Sequence, residues 1–142
     1  MTRKPDWQVR LHAFLMEHRS DAFRYGQWDC CLFVCDAIRA MTGVDPAADF
    51  RGIYSSRSEA RRALIAHVGS ASVEAVVEAV TAKHGMPETG VLHARRGDVA
   101  LIERSRDFSL GLVALNGRDL ALASARGLLA VPLSLAARAW HV

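Results

Sequence analysis

The chain has 142 residues, a length that fits one domain, and 51% of them are hydrophobic, enough to fill a core. Its net charge of +3 is small, its arginines are scattered and only 7% of its residues are aromatic, which argues against a nucleic-acid partner. The N-terminus has charges but no apolar stretch of the secretory kind, and no apolar run approaches the roughly 20 residues of a membrane span. We therefore expect a protein that is made in the cytoplasm, with reduced thiols and no membrane span.

Four helices are predicted in the first two-thirds of the chain by apolar residues at helical spacing. The first begins after Asp6, and the second runs from its cap at Asp29 to Gly43. An S-x-x-E capping box at Ser56 begins the third helix, which stops at Gly69. A fourth covers SVEAVVEAVTAKH. The segment MPETGVLHARRG that follows is predicted to be a connection without regular structure.

From Val99 onward, short apolar runs replace the helical spacing: VALIE, LGLVAL, LALAS and LLAVPL. Asn116-Gly117 and the later Ala-Arg-Gly at 125–127 predict turns between them, and Pro132 is expected near a strand end or on an edge. The tail SLAARAWHV is predicted to form a last short turn or helix. The whole chain, 1–142, is thus expected to be a single α+β domain, with N-terminal helices packed on a C-terminal antiparallel sheet of about four strands.

All three cysteines lie close together, at Cys30, Cys31 and Cys35. An odd number of thiols in a reducing compartment does not predict a disulfide framework. No second cysteine pair follows, and the histidines show no ligand spacing, so neither a zinc site nor any other cofactor is expected. For Cys31 and Cys35 we expect core packing or partial exposure and no chemical role.

Cys30 differs from the other two because it would be the first residue of the second helix, directly after the Asp29 cap. The helix dipole and the free N–H groups there stabilise a thiolate and can receive an oxyanion. Position alone therefore makes Cys30 a candidate nucleophile.

Four stretches resemble motifs of the NlpC-type papain-like cysteine peptidases, in the same order. YGQWDCCLFV resembles their D-C-S-G-[LF]-V motif, and RRGDVALI resembles their G-D-[LV]-V strand. SLGLVALNGR is similar to the H-V-G-I-Y-L-G strand and turn, and GLLAVPL to the last strand. The segments DPAADFRGIY and RAW are similar to short members found in tailed phages and prophages.

The resemblance implies roles for three residues. Cys30 takes the nucleophile position, and Tyr25 resembles a tyrosine that lies beside it. The family's histidine falls on Ser109, which cannot act as a base near neutral pH. The next strand, where the third polar residue belongs, reads LALA. His93 and His141 are considered as replacement bases, but surface or terminal positions explain both more simply.

The resemblance implies a papain-like fold that has lost its hydrolytic activity and serves in a phage or prophage tail tip, baseplate or tail assembly. Other phage tail proteins would then be its partners, and the virion tail its location. The first alternative is an active peptidase or amidase that uses Cys30 to cleave peptidoglycan stem peptides. The second is a separate binding module that uses the former cleft.

Overall fold

The computed structural model describes every residue from Met1 to Val142 and contains four helices followed by six strands. The helices are α1 (Trp7–Glu17), α2 (Cys30–Thr42), α3 (Arg57–Val68) and α4 (Val73–Lys83). The strands are β1 (Glu88–Thr89), β2 (Val99–Arg104), β3 (Asp107–Val113), β4 (Asp119–Ser124), β5 (Gly127–Pro132) and β6 (Ala136–Trp140). Short 3-10 turns cover Val91–His93 and Leu133–Leu135. The predicted α+β order, with helices before an antiparallel sheet, is confirmed.

The predicted ends of the helices are confirmed by hydrogen bonds and backbone angles. At the start of α3, Ser56 Oγ accepts the Glu59 N–H at 3.2 Å. Glu59 in turn accepts the N–H of Ser55, one residue before the cap, at 2.7 Å. Gly43 and Gly69 follow α2 and α3 in the left-handed region, with φ of +85° and +77°. Glycine adopts this conformation at the least cost.

The sheet has the order β1-β6-β2-β3-β4-β5, and every pairing is antiparallel. The Asn116-Gly117 turn joins β3 to β4, with a φ of +69° at Gly117. Pro132 is the last residue of β5, which is an edge strand. The turn and the position of the proline are both confirmed. The proline is tolerated there because its missing N–H removes no bond from the interior of the sheet.

The prediction of about four strands is wrong, since two further strands complete the sheet. The tail forms β6, not a turn or helix, and its Trp140 pairs with Val99 of β2. The supposed connection MPETGVLHARRG contains β1, which pairs with β6 through Glu88 and Trp140. The alanines of AARAW favour a helix in isolation, but pairing with β2 decides the outcome. β1 has only two residues, which are too few to show the alternating pattern that predicts a strand.

The main core lies between the helices and one face of the sheet. It is a cluster of 15 buried residues, to which α2 contributes Phe33, Val34, Ala37, Ile38 and Met41. A smaller cluster of five residues, all from β2, β3 and β4, lies on the other face. α2 is therefore the central helix, and its N-terminus is held against the sheet.

None of the four helices is by itself long and apolar enough to cross a membrane. α3 and α4 taken together, with a bend of 44° between them, satisfy length and composition alone.

Candidate functional site

The start of α2 is fixed by the buried carboxylate of Asp29, which is 4% exposed. Its Oδ1 accepts the Leu32 N–H at 2.9 Å and so caps the helix. Its Oδ2 accepts the Gly26 N–H at 3.0 Å and the Tyr54 hydroxyl at 2.6 Å. Both carboxylate oxygens are thus satisfied, as a buried charge requires. Burial, followed by the Asp29 charge, raises the pKa of Tyr54, so the phenol remains a donor.

Gly26 allows this arrangement because no other residue fits at its position. Its φ is +78°, and a Cβ there would lie 1.9 Å from the carbonyl oxygen of Tyr54. The loop before α2 and the segment that carries Tyr54 are therefore in backbone contact. The sequence predicted the Asp29 cap but not the contribution of Tyr54, which lies 25 residues away along the chain.

Tyr54 is held in place by an ion-pair cluster within the segment DPAADFRGIY. Arg51 Nε donates to Asp45 Oδ2 at 2.5 Å, and its guanidinium also bonds Asp36 of α2. The hydrogen bond from Arg51 lowers the pKa of Asp45. This cluster fastens the segment to α2, so that the tyrosine hydroxyl can reach the cap.

An opening between β3 and β4 receives the chain just before α2. The two strands pair only at Leu112–Ala121 and Val113–Leu120. Beyond these positions, the N–H of Phe23 donates instead to the carbonyl of Ser124, at 2.9 Å. The loop therefore occupies the place where β3 would otherwise continue to pair, which brings the first residue of α2 to β3.

Cys30 is half-buried at this opening, in contact with residues of β3. The adjacent Cys31 thiol has the largest influence on Cys30 and lowers the pKa of its thiol. The backbone of Leu110 and the hydroxyl of Ser109 add smaller contributions in the same direction, against burial and the Asp29 charge. The sequence predicted a stabilised thiolate from the helix dipole, whereas the neighbouring thiol is the largest cause in the structure.

The other two thiols face the interior. Cys31 and Cys35 line an apolar cavity of about 40 Å³ between α2, α3, α4 and the sheet. Burial raises the pKa of Cys35 to about 12. The hydrogen bond to Cys30, followed by burial, raises the pKa of Cys31 well above its ordinary value. Both stay protonated at neutral pH, which agrees with a core role and leaves Cys30 as the reactive thiol.

The structure brings Cys30 and Ser109 together, and Tyr25 lies in the segment just before α2. Ser109 is 9% exposed and contributes its hydroxyl to the surroundings of the thiol. Tyr25 packs against the small cluster that contains Tyr54, and its ring meets Phe23 edge-on at 4.9 Å. Its hydroxyl makes no hydrogen bond to Cys30.

No histidine is among the groups with the largest effect on the pKa of the Cys30 thiol. His141 is occupied elsewhere, with its Nδ1 at 2.6 Å from Asp98 Oδ2, and His93 is exposed in a 3-10 turn. His84 caps the end of α4. The groups with the largest effect on the thiol therefore include neighbours that favour its anion but no histidine that could carry a proton near neutral pH.

His18 has the most site-like surroundings of the histidines, and the sequence interpretation passed over it. Its Nδ1 lies 2.6 Å from Asp21 Oδ2, and its ring stacks on Trp28 at 4.6 Å. The indole Nε1 of Trp28 is buried without a hydrogen-bond partner. In the sequence this histidine–aspartate pair is visible as H-x-x-D after α1, but the same spacing is common at helix ends. No group of three or more His, Cys, Asp or Glu side chains has a geometry that could hold a metal ion.

The comparison with family models gives one match that covers almost the whole chain. The model, described as a domain of unknown function (DUF6950), matches residues 2–142. The chain belongs to the DUF6950 family. No curated protein matches the chain. The Asp29 cap, Cys30, Tyr54 and the strands that complete the site all lie within the DUF6950 match.

Proposed function

We propose that the chain is a papain-like domain of the NlpC type that no longer hydrolyses its former substrates and acts as a structural component of a phage or prophage tail. The proposed loss of hydrolysis rests on one observation. Cys30 lies against Ser109, and Ser109 occupies the position at which the resemblance requires a histidine. The order of helices and strands and the Cys30–β3 contact support the papain-like assignment.

The chemical consequence follows from the two tasks of the missing histidine. It would remove the thiol proton and later deliver a proton to the leaving amine. The environment of Cys30 supplies part of the first task, because the Cys31 thiol, the Leu110 backbone and Ser109 lower the pKa of Cys30. Nothing in contact with the thiol supplies the second, which is worth roughly 10²–10⁴-fold in rate.

The tail assignment is supported by the resemblance to short phage and prophage members. The two segments that carry it have structural tasks here. DPAADFRGIY holds Tyr54 on the Asp29 cap, and RAW ends β6, which lies between β1 and β2. A role in tail assembly needs a stable domain with partner-binding surfaces and does not need turnover.

Particles purified from a strain that carries the gene test this role. We expect the chain to copurify with the tails and to cross-link to neighbouring tail proteins. A Cys30→Ala allele should assemble and infect like the wild type, because the thiol has no chemical task. Absence of the chain from purified particles would contradict the proposal, and so would intact but non-infectious Cys30→Ala particles.

A second candidate function is favoured by the lowered pKa of Cys30. An active cysteine peptidase or amidase would use this thiolate to attack a peptidoglycan stem peptide, and the Leu110 backbone would lie beside the reacting atoms. This candidate requires a base that approaches only when substrate is bound. It predicts that Cys30→Ala abolishes stem-peptide cleavage, whereas the tail proposal predicts no cleavage by either form.

A further inference from the structure

A polar groove lies away from the thiol, between the helices and the tip of the β2–β3 hairpin. We call it the arginine groove. Its lining is Arg61 of α3, Ser70–Ser72 before α4, and Glu103–Phe108 of the hairpin, and its volume is about 500 Å³. This lies within the range of roughly 300–1,000 Å³ that is typical of small-molecule sites.

Three arginines from two separate parts of the chain converge on this groove. Arg61, Arg104 and Arg106 make neither an ion pair nor a side-chain hydrogen bond. By contrast, Arg51 and Arg138 are each engaged by two or more carboxylates. With two acidic residues in the lining, the groove carries an excess of one positive charge. Its guanidinium groups are free to bind an anion.

The segment Ser70–Ser72, which lines the groove, leads directly into the N-terminus of α4. The first bond of this helix runs from the Val76 N–H to the Ser72 carbonyl, and Ser72 makes no side-chain cap. The N–H groups of residues 73–75 consequently have no acceptor in the protein. Glu74 does not fill this position, because its carboxylate binds Arg138 at 2.9 Å. The dipole of the 11-residue helix favours an anion here.

We infer that the arginine groove binds a phosphoryl group on a small ligand. The three guanidinium groups and the serine hydroxyls that line the groove together offer more donors than the two oxygens of one carboxylate can accept. A phosphate or diphosphate presents three or more acceptor oxygens and more negative charge, which suits a site built from arginine. This binding is independent of chemistry at Cys30 and goes beyond the proposed tail role.

Isothermal titration of the full chain at constant ionic strength tests the inference, with pyrophosphate, inorganic phosphate and citrate as probes. We expect pyrophosphate to bind with a Kd of about 1 mM or lower and phosphate more weakly. The variant Arg104→Gln/Arg106→Gln should weaken pyrophosphate binding by about tenfold or more. Both changes are at exposed positions, so the melting temperature should stay near that of the wild type.

A matched control separates the groove from general attraction of anions to a basic protein. Arg118→Gln/Arg126→Gln removes the same charge from exposed arginines at two other turns. It should leave pyrophosphate affinity within about twofold of wild type. Equal losses in both double variants would overturn the inference. So would the absence of binding up to about 10 mM pyrophosphate, or citrate affinity equal to that of pyrophosphate.

Discussion

Tyr54 donates a 2.6 Å hydrogen bond to Asp29, the residue that caps α2 immediately before Cys30. This bond joins the segment after α2 to the helix N-terminus that carries the candidate nucleophile. Asp29 is buried, so its charge depends on such donors, and α2 is the central helix of the core. The stability of the fold and the environment of the thiol are therefore linked through one carboxylate.

Tyr54→Phe should lower the free energy of unfolding by about 1.5 to 3 kcal/mol, the usual range for a hydrogen bond to a charged group. Urea denaturation followed by circular dichroism measures the change. Tyr25→Phe is the matched control, because Tyr25 belongs to the same packing cluster and its hydroxyl makes no hydrogen bond within the protein. Equal losses in the two variants would mean that the bond to Asp29 has no special weight.

Cys31→Ala should raise the pKa of Cys30, because it removes the neighbouring thiol that lowers this pKa. In the wild type the folded pKa is lowered, so the thiolate forms at lower pH than in an ordinary cysteine. The rate of iodoacetamide alkylation at Cys30, followed by mass spectrometry across pH, reports the thiolate fraction. The profile of the variant should move to higher pH. An unchanged profile would show that the neighbouring thiol does not set the pKa.

Asp29→Asn should move the same alkylation profile in the opposite direction. The Asp29 charge raises the pKa of Cys30, so a neutral amide should lower it. The asparagine oxygen can still cap α2, while its amide nitrogen cannot accept the bonds that Gly26 and Tyr54 donate to Asp29. A shift to higher pH in this variant would contradict the electrostatic account of the thiol.

Asp98→Ala should destabilise the fold by about 3 to 5 kcal/mol, the range for breaking a buried ion pair. Asp98 is fully buried and binds Arg3 at 2.5 Å and His141 at 2.6 Å, so it fastens both chain ends to the start of β2. Asp6→Ala is the control, since the Asp6–Arg10 pair is exposed and should contribute little. Comparable thermal melts for the two variants would refute this assignment of Asp98.

The sequence predicted the features that depend on local chemistry. The Asp29 cap, the Ser56 capping box and the Asn116-Gly117 turn each involve residues within a few positions of one another, and the structure contains all three. The sequence analysis connected Cys30 with Ser109 only through the order of the family motifs. Their contact depends on β3 and β4 separating after two paired positions, which no local pattern shows.

The sequence analysis failed where long-range pairing decides. β6 is alanine-rich and becomes a strand only because β2 lies beside it, and β1 exists only because β6 does. The part that Tyr54 plays at the site was missed for the same reason, since its partner precedes it by a whole helix and a loop.

Digestion of purified peptidoglycan by the wild type and by Cys30→Ala tests the central claim most directly. The released fragments are identified by mass spectrometry, and an active cell-wall peptidase serves as the positive control. The absence of a base beside Cys30 predicts no new stem-peptide ends from either form. New ends from the wild type but not from Cys30→Ala would contradict the account and establish Cys30 as a working nucleophile.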